Sequence, residues 1–434
     1  MVTILDNANG MAFAEFELAL PNKPGISLNK LVAYEKSELT ETTHGIGVYN
    51  HQFITQQPEL VDKTLNAAMA TGTPRIRFRI GYGTPEKLSW LPWQNNIITH
   101  YSGLLVGAGD KTGHHLQIST SDMLFAASRA SKTCVRKGTI SGIVAQIAQE
   151  NKLTTVIEKT AGEFTFIQSF EDDVTFISTR LVPRAVSTKN RGSYLFFMQD
   201  NVLHFHSLDY QAEIKDLFYF ETPYLQLAQV DMSQQLWDEG ASGTRLIVYD
   251  PYTGQSQEII SAADKALRLA NGIYDLTSVV NGQRNIIYTL GQNRPEEAVA
   301  LGQNSYEFAR LKTFELVATF SRLTNLRVGN IIRLIVSPLP EKTSPWSGYY
   351  LLSKTVTTLD KTVITVTCQL QRGEISQFGS KTVAEKDAQT TITKAPGVEL
   401  NVRETQDSAQ TKGAGKQASA KVYTTVADVN SIST

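Results

Sequence analysis

The sequence predicts an α+β, mainly β protein: two tube-like antiparallel β-barrel domains flank a small α/β middle module. Three observations predict it. Alternating strands joined by short turns crowd both flanks, as in RIRFRIGY at 75–82 and VITVTCQLQR at 363–372. Between the flanks, residues 137–210 change period to helix, strand, strand, helix and a closing hairpin. A weak repeat then relates the flanks to each other. The meander at 98–118 carries Val106, Asp110-Lys111-Thr112, Leu116 and Ile118, and the last meander carries Val356, Asp360-Lys361-Thr362, Val366 and Cys368. An alternating strand (RIRFRIGY, then NIIRLIV) and a Trp-bearing loop precede each hairpin.

The elements follow in order. AFAEFELAL at 12–20 alternates, with Phe13, Phe16 and Leu18 set against Glu15 and Glu17. PNKPG at 21–25 is a turn, and short strands follow from Ile26 to Phe53. A helix starts near Pro58, repeats Val61, Leu65, Ala68 and Met69 at helical spacing, and stops at Gly72. In RIRFRIGY, Arg75, Arg77 and Arg79 point one way and Ile76, Phe78 and Ile80 the other. NIITHYSGLLV and HHLQIS flank the turn GAGDKTG, and Ser121 caps a short helix over 121–130.

In the middle module, Thr139 caps a helix whose Ile140, Ile143, Val144, Ile147 and Ala148 share one face. A second helix spans 172–181, buries Val174, Phe176, Ile177 and Leu181, and ends at Pro183. SYLFFM and VLHFHSL make a hairpin around Gln199-Asp200-Asn201. From Gln211 strands return, with a turn at Asp250–Gly254 and helices starting at Ser261 and over 293–309. Four strands in quick order lead to Arg372. After about Ser376 the composition turns polar, and this arm cannot bury enough apolar area to order by itself. The resulting domains are 1–136 (first barrel), 137–210 (middle module), 211–375 (second barrel) and 376–434 (C-terminal arm, flexible or ordered on a partner).

The 434 residues hold 41 Lys plus Arg against 42 Asp plus Glu, a balance that argues against a nucleic-acid binder relying on counterion release. No basic region followed by an apolar run suggests a signal peptide, and no apolar run is long enough to span a bilayer. Cys134 and Cys368 read as two buried free thiols rather than a disulfide.

Candidate chemistry is sparse. His204 and His206 share a strand face at a spacing that can bind a metal, but no nearby Cys or carboxylate completes a set. His114 and His115 read as ordinary strand residues. GAGDKTGHH fails the phosphate-loop order, because His114 follows Gly113. Helix capping accounts for Glu171, Asp172 and Asp173. The Arg75, Arg77 and Arg79 stripe reads as a solvated face or, functionally, as an inter-subunit or lumen surface. We expect no enzyme: no catalytic, cofactor-binding or metal residues are assigned.

The middle module is more specific as a whole. KGTISGIVAQIAQENKL, then V-I-E, then Q-S-x-x-D-D-V-x-F-I-x-x-R-L-x-P-R-A, then L-H-F-H, resembles the baseplate hub proteins of contractile-tailed bacteriophages. Late-control proteins and the N-terminal region of type VI secretion spikes share that plan. The late segment F-E-L-V-A-T-F, L-R-V-G-N-I-I-R-L and S-G-Y-Y-L-L-S-K-T-V-T-T-L resembles the same family's second barrel. Thr357 or Thr358 stands where the family usually has a histidine, and no inserted lysozyme domain or attached spike is expected.

The resemblance, over roughly residues 70–372, implies a structural homotrimer without cofactor. Its two barrels per subunit would form a pseudo-sixfold ring in the virion tail baseplate, assembled in the host bacterial cytoplasm. Implied partners are the tail tube protein, the central spike protein, other baseplate or wedge proteins and the tape-measure protein. DNA would only pass through the lumen, and no stable membrane insertion is expected. Other readings are the hub of a tailocin or secretion-type particle, a tail-associated cell-wall hydrolase using Glu163 or Glu171, and a carbohydrate binder using Trp90, Trp93 and Trp346.

Overall fold

The computed structural model describes residues 10–20, 23–70, 72, 74–84, 87–104, 114–188, 194–208, 210, 214–222, 224–229, 244–250, 255–262, 285–290, 304, 311, 314–336, 346–372, 399–403 and 427–428. The first flank forms β1 (Met11–Leu20), β2 (Lys23–Ser27), β3 (Ala33–Thr42), β4 (Val48–Thr55), α1 (Pro58–Met69), β5 (Arg75–Thr84), β6 (Lys87–Trp90), β7 (Gln94–Leu104) and β8 (His114–Ser121). Next come α2 (Phe125–Ser128), β9 (Lys132–Gly138), α3 (Ile140–Glu150), β10 (Thr154–Ile157), β11 (Phe164–Glu171), α4 (Asp173–Phe176), β12 (Tyr194–Gln199) and β13 (Val202–Ser207). The rest supplies β14 (Ile214–Phe218), β15 (Leu225–Gln229), β16 (Thr244–Asp250), β17 (Gln255–Ala262), β18 (Asn285–Leu290), β19 (Phe314–Phe320), β20 (Ile331–Ile335), β21 (Gly348–Asp360), β22 (Val363–Arg372), β23 (Glu399–Arg403) and β24 (Ala427–Asp428).

The protein is mainly β, as expected. One 14-stranded sheet runs β15-β19-β22-β21-β3-β4-β8-β7-β5-β1-β2, with β20 on β21, β14 on β20 and β6 on β5. Its pairings are antiparallel except β14 with β20. The two flanks are therefore one sheet, joined where Lys36–Thr42 of β3 pairs with Lys354–Asp360 of β21. Alternation explains the inner face: residues two apart share a side, so Ile76, Phe78 and Ile80 are buried while Arg75 and Arg77 are exposed. Phe16, Phe53 and Phe78 from the first flank meet Leu316, Tyr350 and Leu370 from the second in one core. Each such side chain contributes about 1.5–3 kcal/mol relative to exposure.

The middle module has its own core, in which α3 packs on β10 and β13 of the sheet β10-β13-β12 and Val174 and Phe176 of α4 join the same cluster. Strand β12 is buried on both faces. Tyr194, Phe196 and Met198 enter the module core, while Leu195 and Phe197 pack with Val328, Ile331 and Leu351 of the second flank. That double burial is the reason YLFFM is apolar at every position. A two-stranded ribbon of β9 and β11 flanks α3. Strands β16, β17, β18, β23 and β24 form a separate sheet.

Several local expectations are corrected. Phe13 shares the half-buried outer side of β1 with Glu15 and Glu17; Ala12, Phe16 and Leu18 are the buried residues. Ser121 is no cap, because its backbone still pairs with Val48 and Ile97; Asp122 accepts from the Leu124 and Gly47 amides instead. The second helix is not uniform: after α4 it widens to a π-turn over Ile177–Leu181, then tightens over Val182–Arg184. Pro183 has no N–H to close the ordinary bond, and Thr179 turns its hydroxyl back to the Thr175 carbonyl, 2.7 Å away. Ser261 and Ala262 end β17 rather than start a helix. The turn at 107–113, the turn residues 251–254, the remainder of the helix expected after 262, the polar arm apart from β23 and β24, and the helix at 293–309 apart from Asn304 lie outside the described residues.

Candidate functional site

The register of β1 against β5 places Glu15 opposite Arg79 and Glu17 opposite Arg77. Both pairs form, with Arg79 Nε and Arg77 Nε each 2.7 Å from their carboxylates. The same guanidinium groups lie over indole rings: Arg77 is 4.8 Å from the Trp93 centroid, and Arg79 is 4.4 Å from Trp90 and 4.6 Å from Trp93. Gly25 of β2 makes room for this ladder, since a Cβ there would lie 2.0 Å from Glu17 Oε1. Exposed ion pairs contribute about 0–1 kcal/mol and exposed cation–π contacts about 0.5–1 kcal/mol. The ladder shapes this surface more than it stabilises the fold.

Beside the ladder opens a cleft of about 530 Å³ between the first flank and the middle module. Arg75, Arg77 and Glu17 line one wall; Lys152, Leu153 and Thr154 line the other. Lys152 is held in the left-handed region (φ 56°) where α3 ends, its N–H donating to the Gln149 carbonyl at 3.1 Å.

The third feature is the seam where module, first flank and second flank meet. The β12–β13 hairpin turns at Asp200 and Asn201, both at positive φ (47° and 66°), as a two-residue turn requires. Asn201 Oδ1 accepts from the Asn95 amide at 2.6 Å, and its Nδ2 donates to the Trp93 carbonyl at 2.8 Å. Asp200 lies 3.7 Å from Arg327 of the second flank. Glu41, Tyr49 and Asp122 stand nearby around a void of about 10 Å³, roughly water-sized. Burial pushes Asp122 up to about 7, against hydrogen bonds from the Gly47 and Leu124 amides. Burial also raises Glu41, opposed by the Arg327 charge. In the first flank's core, His51 Nδ1 and Ser37 Oγ share a hydrogen bond of 2.7 Å among Phe16, Phe53 and Phe78, and burial lowers His51 to about 3.

The residues singled out by sequence sort clearly. Trp90 and Trp93 come together, but under guanidinium groups, and Trp346 packs at the main core instead. Glu171 is bonded by Arg180 at 2.8 Å, and neither it nor exposed Glu163 lines the cleft or the void at the seam. Asp172 caps α4 through the Val174 and Thr175 amides. Asp173 does something else: fully buried, it takes Lys132, Arg136, Asn151 and Gln168 and ties the ribbon to both helices. His204 stacks on Phe197 at 5.0 Å, and burial followed by His206 lowers it to about 4. His115 reaches Glu35 at 3.2 Å. Among the described residues no group of three or more His, Cys, Asp or Glu could hold a metal ion. Both cysteines are free; Cys368 is buried, whereas Cys134 is only half-buried on β9, within 3.5 Å of Gln168. No helix is long and apolar enough to cross a membrane among these residues. Glu41, Asp122 and Arg327 went unseen in the sequence because nothing local marks a seam between strands so distant in the chain.

No family model and no curated protein sequence matches the chain. Solved structures do. The tail protein from Neisseria meningitidis MC58 superposes with a TM-score of 0.50 at 10% identity, covering 83% of this chain and 96% of that one. The chain shares the fold of that tail protein. The 43 kDa tail protein of prophage MuSo2 from Shewanella oneidensis matches at 10% identity and TM-score 0.48, over 83% of this chain and 98% of that one. A type VI secretion component from E. coli, described as similar to T4 bacteriophage tail proteins, matches at 12% identity and TM-score 0.48, over 85% and 79%. The mainly β, α+β architecture is the fold class that the sequence predicted.

Proposed function

We propose that this chain is a structural hub of a contractile-tail baseplate, with no catalytic role. Three copies would close a pseudo-sixfold ring that joins a hexameric tail tube to a trimeric spike. Its lumen would pass the tape-measure protein and then DNA. In this reading the units are 1–136 and 211–375 around the module at 137–210, with the arm at 376–434 free to order on a neighbouring baseplate protein.

One observation carries the reading. The two flanks repeat a layout: β5 pairs antiparallel with β7 of the hairpin β7–β8, and β20 pairs antiparallel with β21 of the hairpin β21–β22. In each, the alternating strand precedes its hairpin in the chain with a Trp between, Trp90 or Trp346. A chain with two similar units presents six of them when three copies associate, the simplest match between sixfold and threefold partners. The tail-protein fold supports the reading, and near-zero net charge suits a wall that must not grip its cargo. Sizing of the purified protein, alone and with tube and spike proteins, tests it. A trimer supports the hub; a monomer that joins neither partner opposes it.

A further inference from the structure

We propose that the cleft between the β1–β5 face and the α3–β10 turn binds an extended acidic peptide segment of a partner protein. The inference deepens the hub reading by giving one docking surface its ligand chemistry. The cleft holds about 530 Å³, within the size range of ligand sites. Arg75 and Lys152 stand on its opposite walls, both exposed, and neither side chain has an ion pair or hydrogen bond among the described residues. Arg77 is engaged by Glu17, so the surplus charge in the cleft comes from the other two. Two uncompensated cations facing one another attract carboxylates and repel cationic ligands.

The lining favours peptide over nucleic acid. Met123 and Leu153 add half-buried apolar surface to the lining, and Glu17 adds a carboxylate that repels phosphate. Asn95, exposed in the same wall, offers a side-chain amide to a peptide group. An acidic segment with interspersed apolar residues satisfies both features: carboxylates reach Arg75 and Lys152 while aliphatic side chains cover Met123 and Leu153. The flanking strands suit an extended occupant, since among the described residues β2 and β10 each end the order of their sheet and have a strand partner on one edge alone.

The test is fluorescence anisotropy of the full chain with a labelled short peptide of alternating glutamate and valine. Saturable, salt-sensitive binding is expected. Arg75→Glu and Lys152→Glu should each weaken it about tenfold, whereas Lys63→Glu on the exposed face of α1 should leave it unchanged. The double reversal should instead bind a peptide of alternating lysine and valine. Absence of binding by the wild-type chain, or binding indifferent to both reversals, overturns the proposal. So does capture of single-stranded oligothymidylate through these residues in place of the peptide. The two readings fail separately: a trimer that ignores the peptide removes this inference alone, and a peptide-binding monomer removes the hub alone.

Discussion

Asn201 and Trp93 are joined side chain to main chain across the boundary between the middle module and the first flank, with Asn201 Nδ2 2.8 Å from the Trp93 carbonyl. The same side chain accepts from the Asn95 amide, so one residue at a hairpin tip fixes the lip of the cleft and the end of the tryptophan ladder. Asn201→Gly keeps the positive φ but removes both bonds. It should cost about 1–3 kcal/mol in denaturant unfolding, and amide exchange at Asn95 should accelerate. Unchanged exchange at Asn95 would contradict the joint.

Gly329 tests the contact between the module and the second flank. It sits at φ 81°, and a Cβ there would lie 2.3 Å from Phe197 Cζ. Gly329→Ala should destabilise by about 2–4 kcal/mol, combining left-handed strain with overpacking. Adding Phe197→Leu should recover part of the loss, because it relieves the clash and leaves the strain. A double-mutant cycle showing no coupling would remove the contact from the account.

Asp173 and Glu150 share Lys132 and Arg136 but differ in exposure, 0% against 38% for the side chains. The Arg136 hydrogen bond holds Glu150 down at about 2. Asp173→Ala leaves Arg136 buried without that partner and should cost about 3–5 kcal/mol. Glu150→Gln, at the solvent edge, should cost about 1 kcal/mol or less. Unfolding measurements that rank the two the other way would oppose the burial argument.

His51 and Asp122 give opposite pH slopes. Folded His51 stays neutral down to about 3, whereas the unfolded residue takes a proton near 6.5. The unfolded chain thus binds more protons between those values, and stability rises with pH across them. Folded Asp122 keeps its proton up to about 7 against 3.8 when unfolded, so its contribution is full below 3.8 and lost as pH rises to 7. His51→Phe should flatten the loss below pH 6.5, and Asp122→Asn should flatten the decline toward pH 7. Each slope approaches about 1.4 kcal/mol per pH unit at most. Denaturation midpoints across pH check both.

What could be read in the sequence was local. SYLFFM and VLHFHSL announced a hairpin, Gln199-Asp200-Asn201 its turn, and Thr139 a cap that does accept from the Gly142 amide. The alternation in RIRFRIGY placed three arginines outward, and the structure adds only what they meet. The rest depends on pairing between distant strands. β3 meets β21 some three hundred residues later in the chain, and no propensity selects that edge over another. Glu41, Asp122, Asp200 and Arg327 become neighbours only through that pairing, and Asp173 becomes a buried hub only when β9 joins β11.

A ring of three copies shows itself in the mass of the purified protein in solution. Light scattering after size exclusion, with and without the spike protein, should give three chain masses in at least one condition. A strict monomer in both, which also fails to join a tail tube, would contradict the hub.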